Sequence, residues 1–277
     1  MTKPLKIVIL TTRLPEDIWL INTLAEVSQI AGIILPKGRR YREYSTFYVL
    51  KRRLKKIGFF RLANQALLVA YRFVFERQKD KKSVEQLFTG KPHTSIEKKG
   101  FDILVTEDAN SQVIRDFILS KTPDLVVVSN GPLLKKHVLE AAQGKIINLH
   151  PGFAPKYRGR YTSFWPIYNR EPEFIGTTVH YIDSGVDTGS ILLQQQVDFD
   201  PRDTLRTITL KQHWVGVDLL VKCLQDFENL SERARIQTDS AHSNYLAPGL
   251  SHYLKARRWL RQRTRAARHR ARKGELI

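Results

Sequence analysis

Three polar side chains between positions 148 and 187 are of the types that acyl transfer requires. Asn148 and His150 lie two residues apart at the end of the predicted strand KIINLH (145–150), so both point to the same face of that strand. Asp187 lies in the SGVDTG loop after the predicted strand IGTTVHYID (175–183). When an amine attacks an acyl carbon, an amide N–H and an imidazolium stabilise the charge on the acyl oxygen. A carboxylate beside the histidine keeps it protonated and oriented, and helps to remove the amine proton through water.

These residues also have structural interpretations. The sequence contains no serine elbow and no candidate cysteine nucleophile, so the pattern favours direct transfer without a covalent intermediate. His180 lies inside a predicted strand, and we expect it to be structural. Asp183 and Asp187 both have the position of loop acids that shape a turn. The residue types alone therefore leave a structural role open for each of them.

The surrounding segments predict an α/β fold with a mostly parallel, Rossmann-like sheet flanked by helices. A strand, a helix and a strand at 5–12, 16–29 and 30–35 form a βαβ unit. Ligands of such a sheet bind at the carboxyl ends of its strands, where Asn148 and His150 lie. Gly144 is the predicted C-cap of the helix at 134–143, and Asp203 is the predicted N-cap of the last long helix. Further strands or helices are predicted at 101–108, 111–121, 123–130, 163–169, 189–199 and 204–227.

Two basic segments are added to this pattern. We predict a catalytic domain at 1–228, with a basic helical insertion at about 36–100, and a basic helical C-terminal extension at 229–277. Within the insertion, 47–78 has an apolar and basic helical pattern that Gly58 divides in two.

The net charge of +19 belongs to these additions. Residues 36–82 carry 15 Lys or Arg against three acids, and residues 251–277 carry ten against one, whereas the rest of the chain has a net charge of −2. Such segments are typical of contacts with nucleic acid or an anionic membrane surface, or of solvated faces. The apolar and basic mix at 47–78 suits a helix pair on a membrane surface, and an ordinary insertion packed on the sheet suits it equally well.

The composition also predicts the compartment. The single cysteine, Cys223, cannot form an internal disulfide, and its apolar helical surroundings predict a core position. The first residues show no signal-peptide pattern, and no window approaches 18 uninterrupted apolar residues. We therefore expect a cytoplasmic protein, either free or peripheral at the inner face of the membrane.

Two segments together resemble the folate-dependent formyltransferase family. These are INLHPGFAPKYRG (147–159) and GTTVHYIDSGVDTGSILLQ (176–194), which match an Asn-x-His motif, a proline-bearing loop and a later loop whose second Asp is catalytic. The family includes glycinamide ribonucleotide formyltransferase, the catalytic domain of methionyl-tRNA formyltransferase and nucleotide-sugar N-formyltransferases. The resemblance implies 10-formyltetrahydrofolate as donor, no metal, and catalytic roles for Asn148, His150 and Asp187.

The resemblance also implies a folate pocket. The segment SNGPLLKK (129–136) matches a loop whose backbone lines that pocket, and the loop 182–187 matches the opposite wall. Leu133 and Leu134 have hydrophobic packing as an alternative role, and a pterin pocket with apolar walls is compatible with both. The expected cofactor-binding residues are Asn130, Pro132, Leu133, Leu134, Asp183 and Gly185.

The amine acceptor is less well specified. The segment TTRLPED (11–17) lacks the glycines of the phosphate loop in glycinamide ribonucleotide transferases. Residues 251–273 are basic and helical in pattern, unlike the C-terminal barrel of methionyl-tRNA formyltransferases, although a tRNA favours basic segments. A small amino sugar on a nucleotide is the leading candidate. A formyltetrahydrofolate hydrolase and a non-catalytic folate- or polyanion-binding module are the alternatives outside transfer.

Overall fold

The computed structural model describes most of the chain. The described residues are 3–37, 46–91, 93, 95, 96, 100–200, 203–238 and 245–272, with backbone only at 46–50 and 263–272. The parts of the two basic segments at 38–45 and 273–277 lie outside these residues.

Within the described residues, seven strands form one sheet in the order β3-β2-β1-β4-β5-β6-β7. Strands β1 to β5 are parallel to one another, whereas β6 runs antiparallel to both β5 and β7. The predicted mostly parallel α/β sheet is therefore confirmed. The strands are β1 (Lys6–Leu10), β2 (Gln29–Pro36), β3 (Ile103–Thr106), β4 (Leu125–Ser129), β5 (Ile146–His150), β6 (Gly176–Tyr181) and β7 (Ile191–Gln196).

Helices connect the strands and cover the sheet. In the described part of the chain, none of them combines the length and the apolar character that crossing a bilayer requires. A short 3-10 helix spans Pro172–Phe174. The α-helices are α1 (Pro15–Leu24), α2 (Thr46–Ile57), α3 (Phe59–Phe75), α4 (Arg77–Leu87), α5 (Gln112–Lys121), α6 (Lys136–Ala141), α7 (Trp165–Tyr168), α8 (Leu205–Gln225), α9 (Phe227–Glu232) and α10 (Leu250–Arg272).

The central strands are apolar because both faces of the sheet are covered. Ile7 and Ile9 of β1 pack with α1 and α8 on one face, whereas Val8 and Leu10 pack with α5 and α6 on the other. Side chains alternate along a strand, so a strand buried on both faces must be apolar at every position. Cys223 of α8 is fully buried in the first of these layers, as predicted.

Several predicted boundaries were wrong by a few residues. The first helix ends at Leu24 instead of residue 29, and the helix predicted at 134–143 spans only Lys136–Ala141. Its C-cap is Ala142, and Gly144 lies two residues further on, with a positive φ of 75°. Short apolar runs predict the presence of an element better than its ends, which depend on local capping.

The predicted N-cap of the last long helix was also wrong. Thr204 caps α8, because its side chain accepts a hydrogen bond from the backbone N–H of Thr207. Asp203 instead accepts from Lys211, with Nζ–Oδ2 at 2.6 Å. Both residue types are good N-caps, and the backbone position of Thr204 decides between them.

The insertion and the C-terminal extension pack against each other. Asn64 of α3 donates to the hydroxyl of Ser251 at 2.8 Å, and Gln65 donates to the carbonyl of Ala247 at 2.9 Å. A third cluster joins both segments to the loop after β5, through Leu68, Tyr157, Phe164, Trp165, Tyr253 and Leu260 among others. The two basic segments, which the sequence presents as separate additions, therefore form one helical layer.

Candidate functional site

The end of β5 and the start of the loop after β6 bring the predicted catalytic side chains together. Asn148 and His150 lie on β5, and antiparallel pairing places Asn148 directly opposite His180 of β6. The chain then leaves β6 and returns with Asp187 facing both strands. Asp187 has a φ of 53°, a left-handed conformation that aspartate tolerates better than most side chains.

Asp187 is the centre of this arrangement. One carboxylate oxygen, Oδ1, lies 3.3 Å from Asn148 Nδ2 and 3.4 Å from His180 Nε2. The other, Oδ2, lies 3.4 Å from His150 Nδ1 and accepts a hydrogen bond from the backbone N–H of Gly159 at 2.8 Å. The carboxylate therefore links both strands to the loop after β5.

His150 is held on both sides of its ring. Its Nδ1 faces Asp187, and its Nε2 lies 3.1 Å from the carbonyl oxygen of Tyr157. The residue is only 3% exposed. Gly152 permits this packing, because a Cβ at that position would lie 2.2 Å from His150 Nε2. Both ring nitrogens thus face oxygen acceptors, an arrangement in which a doubly protonated ring donates twice.

Burial and neighbouring charges set the protonation of His150 and Asp187. Burial lowers the pKa of His150, and the carboxylate of Asp187 opposes this only in part. Burial alone would raise the pKa of Asp187, but the charges of His150 and His180 and the hydrogen bonds from His180 and Gly159 hold that pKa well below its ordinary value. The carboxylate keeps its charge even beside a neutral His150, because Asn148 and Gly159 also donate to it.

His180 is a site residue that the sequence did not indicate. Its Nδ1 lies 2.7 Å from the carbonyl oxygen of Tyr181, which assigns the ring proton to Nδ1. Its Nε2 lies 3.2 Å from Asn148 Nδ2 and 3.4 Å from Asp187 Oδ1, so it accepts from Asn148 when it is unprotonated and donates to Asp187 when it is protonated. The interior strand position suggested a structural histidine. Only the register between β5 and β6, which no local pattern reveals, shows that His180 lies opposite Asn148.

Gln237 is a second residue that the sequence did not indicate. Its side-chain amide donates to the carbonyl oxygens of Asp187 at 3.1 Å and Gly189 at 2.6 Å. It lies in the segment after α9, about fifty positions further along the chain than the loop that it holds. A contact of this sequence separation leaves no signal in either segment.

The loop predicted to line a folate pocket leaves the sheet beside His150. Ser129 of β4 pairs with Leu149, so the chain from Asn130 onward begins at the same edge as the site. The side chain of Asn130 donates to Asp17 at 2.9 Å, and Leu134 is buried among core residues. Leu134 therefore has the packing role. Pro132 is exposed, and Leu133 is 63% exposed.

The opposite loop is shaped by Asp183. Its carboxylate accepts from the backbone N–H of Gly185 at 2.9 Å and from the hydroxyl of Thr188 at 2.5 Å. Asp183 thus has the turn-shaping role that the sequence left open, and Gly185 lies within the turn. Val186, between this turn and Asp187, is exposed.

Comparison with known proteins gives one family. The model of the formyl transferase family matches residues 57–224, more than half of the chain. The methionyl-tRNA formyltransferase of Finegoldia magna is 28% identical over 171 residues, which are 60% of this chain and 54% of that protein. The methionyl-tRNA formyltransferase of Halothermothrix orenii is 35% identical over 150 residues, which are 53% and 47%. The chain thus spans about half the length of these curated relatives.

Solved structures share the fold. The phosphoribosylglycinamide formyltransferase of Anaplasma phagocytophilum has a TM-score of 0.54 at 15% identity, covering 87% of this chain and 97% of that one. A sugar N-formyltransferase from Shewanella sp. FDAARGOS_354 has a TM-score of 0.51 at 17% identity, covering 87% and 76%. At these identities the likeness concerns the fold, with its parallel sheet and antiparallel last strands.

Proposed function

The chain belongs to the formyl transferase family, and we propose that it transfers a formyl group from 10-formyltetrahydrofolate to an amine. The observation that carries this proposal is the meeting of Asn148, His150 and Asp187 at one strand end. These are the residues through which the sequence resembles the family. The proposed catalytic groups are these three, with His180 as a positioning residue for Asp187.

In the proposed reaction the amine nitrogen bonds to the formyl carbon while the bond from that carbon to the folate nitrogen breaks. The products are a formamide and tetrahydrofolate, and one amine proton replaces the formyl group on the folate. Asn148 and His150 turn N–H groups toward the formyl oxygen and stabilise its developing charge. Asp187 keeps His150 oriented and takes the amine proton through water. For this, Asn148 exchanges its contact with His180 or Asp187, and His150 Nε2 exchanges its contact with the carbonyl oxygen of Tyr157.

We propose that the donor binds between the loops that begin at Asn130 and Ile182. Two features of the structure fit this position for the donor. Leu133 and Val186 present exposed apolar side chains, one on each loop. Asn110 fixes the first loop by bonding to the carbonyl of Leu133 at 3.1 Å and the N–H of Lys135 at 2.6 Å. A rigid loop with apolar walls and backbone polar groups suits a pterin ring. Pro132 and Gly185 are further proposed contacts, and Asn130, Leu134 and Asp183 act by shaping the walls.

For the acceptor we propose a small amino sugar on a nucleotide. The loop after β1 argues against a phosphate bound at the start of α1, as a glycinamide ribonucleotide would require. Glu16 and Asp17 occupy the first turn of α1, where Glu16 pairs with Arg206 at 2.8 and 2.9 Å and Asp17 bonds to Asn130. Carboxylates at a helix N-terminus occupy the position that favours a phosphate. Methionyl-tRNA is the second candidate, favoured by the sequence relatives of that name.

A comparison of acceptors tests this proposal. The full chain is incubated with 10-formyltetrahydrofolate and one amine at a time: a nucleotide-linked amino sugar, methionyl-tRNA or glycinamide ribonucleotide. Release of tetrahydrofolate and the mass of the formylated amine are measured. We expect product with the amino sugar. Product only with methionyl-tRNA would replace the proposed acceptor and leave formyl transfer intact.

The same assay separates transfer from its alternatives. Formate released at the same rate with and without amine would identify a hydrolase. Binding of the folate without turnover of any kind would identify a binding module. Either result would contradict transfer. The His150→Ala variant is included, because turnover that persists in it comes from a contaminant.

We also propose a cytoplasmic location. The single cysteine, Cys223, is buried, and burial raises the pKa of its thiol to about 12, so the sulfur is inert. Because a folate-dependent reaction draws on a cytoplasmic cofactor pool, the proposed chemistry supports the same compartment. Fractionation of cells that express the chain tests this location, with activity and protein followed in the same fractions.

A further inference from the structure

Helix α3 presents apolar side chains to solvent. Phe59, Phe60, Leu67, Phe73 and Val74 are all exposed, and Phe60 is 88% exposed. They are spaced so that they share one side of the 17-residue helix. A continuous apolar face of this kind is unusual on a free surface and marks a contact site.

The opposite side of α3 faces the protein, and it carries the buried Leu68 together with polar side chains. Asn64 and Gln65 bond to the segment that begins α10, at 2.8 and 2.9 Å. Arg72 lies 3.5 Å from Glu76, which accepts a hydrogen bond from Tyr253. The inner side is therefore held by hydrogen bonds and by the packing of Leu68, while the phenylalanines stay outside. The inner contacts fix the helix to α10, so the apolar face is held outward.

The segment that carries this face is basic and has no acidic residue. The sequence from 46 to 75 contains seven Lys or Arg and no Asp or Glu. Five of the seven lie on α2, immediately before Gly58, and all five are exposed. On α10, Lys255, Arg258 and Arg261 are also exposed. The helices thus combine an apolar stripe with positive charge.

We propose that α2 and α3 bind the surface of an anionic lipid bilayer, with the phenylalanines of α3 inserted among the lipids. At about 1.5 Å per residue, α3 is about 25 Å long and suits a position in the plane of the interface. The charge favours anionic lipid over a neutral one. A nucleic acid would use the same cations but leave the phenylalanine face in water, which is why lipid fits better. This binding is independent of formyl transfer.

Vesicle flotation with the full chain tests the proposal. Vesicles of phosphatidylcholine alone are compared with vesicles that contain phosphatidylglycerol as well, at low and high salt. We expect binding to the anionic vesicles only, weakened by salt. The double variant Phe60→Ser with Phe73→Ser should bind about tenfold more weakly or worse, because two of the side chains that enter the lipid are replaced by polar ones. Lys55→Glu with Lys56→Glu should reduce binding by a similar factor.

Matched variants control for fold and for general charge. Ile236→Ser removes an exposed apolar side chain far from α3 in sequence, and Lys145→Glu with Lys222→Glu reverses two exposed charges elsewhere. Both should bind vesicles like the parent. Far-UV circular dichroism and Tm establish that every variant is folded. Formyl transfer in solution is measured in parallel, and its loss would not bear on lipid binding.

Three outcomes would overturn the proposal. The first is failure of the parent chain to float with anionic vesicles. The second is equal binding to neutral vesicles, which would remove the role of charge. The third is full binding by the serine variant. If RNA binds the parent and the serine variant equally and displaces the vesicles, the surface is a nucleic-acid site instead.

Discussion

Asp187 at the strand-end site and Glu76 at the end of α3 are both largely buried carboxylates, but different donors surround them. Asp187 contacts two histidines, an amide and a backbone N–H. Glu76 contacts the hydroxyl of Tyr253 and the guanidinium of Arg72. Burial and the neighbouring Glu76 raise the pKa of Tyr253 above its ordinary value, and arginine keeps its charge at all accessible pH values.

The difference lies in whether the neighbours can exchange protons. His150 and His180 carry imidazole rings, which can accept and release a proton, so that site has groups able to move one. The groups around Glu76 keep their protons, so that cluster ties the insertion to the C-terminal helix without chemistry. A buried carboxylate therefore indicates function only together with the nature of its partners. Variants around Asp187 should therefore change turnover, whereas variants around Glu76 should change stability.

The largest expected effect is that of His150→Ala. Turnover should fall by roughly two to four decades, because oxyanion stabilisation and proton transfer are both lost. Folate binding, measured by fluorescence titration, should remain. His252→Ala on α10 is the control and should keep parental turnover. A fall of less than tenfold would show that His150 does not have the proposed role.

Asp187→Asn should be similarly damaging, by roughly two to four decades in kcat. The amide keeps the shape but removes the charge that orients His150 and receives the amine proton. The matched change at the other carboxylate is Glu76→Gln, which should leave kcat within about twofold of the parent, because no proton moves there. Equal losses of kcat in both variants would contradict the distinction between the two clusters.

His180→Ala should have a smaller effect, a loss of roughly tenfold to a hundredfold in kcat. The residue acts on Asp187 and not on the substrate, so the pH dependence of kcat should shift as well. His180→Gln, which retains a polar side chain opposite Asn148, should recover part of the loss. A merely structural histidine would lower the amount of folded protein and leave the pH profile of the folded enzyme unchanged.

Tyr253→Phe should affect stability. The change leaves Glu76 without its hydroxyl donor, which should lower the free energy of unfolding by about 1–3 kcal/mol. Denaturant unfolding measures the loss, and kcat should remain close to the parental value. A large fall in kcat with unchanged stability would show that the helical layer contributes to the reaction.

The smallest effect concerns the pH dependence of stability. The lowered pKa values of His150 and Asp187 both stabilise the fold at neutral pH. The His150 contribution is complete above its unfolded pKa of about 6.5, the Asp187 contribution above about 3.9, and each is lost as the pH falls. Unfolding free energies should therefore decrease from pH 7 toward pH 3. Asp187→Asn should flatten the part of this curve below about pH 4. If the variant loses as much unfolding free energy below about pH 4 as the parent does, the contribution of Asp187 is contradicted.

Much of the fold could be predicted because burial leaves a regular pattern. The nearly all-apolar run of β4 is typical of a strand covered on both faces, and the predicted break at Gly58 separates α2 from α3. Helix α4 was not predicted as a separate element. Its sequence is largely polar, and distant contacts hold it, among them the hydrogen bond from Thr204 to Asp80 and the packing of Val84 and Leu87 against the core. A helix without a strong apolar stripe gives little signal.

The candidate site divides in the same way. Asn148 and His150 could be paired from their spacing on one strand, which depends only on strand geometry. His180 and Gln237 could not be added, because their contacts with the Asp187 loop depend on the register of β6 and on the course of the segment after α9. Leu134 is a residue whose role the sequence left open. Its apolar character suited both a ligand wall and the core, and the structure places it in the core.

The sequence by itself determined the alternation of buried strands and helices, and it placed an amide and an imidazole on one face of a strand. Periodicity and apolar character are local, so they can be read without coordinates. Tertiary structure alone decided that the carboxylate of Asp187 lies between two histidines, and that α3 turns Leu68 inward and its phenylalanines outward. Those outcomes depend on which distant segments pack together, and a linear pattern does not contain that information.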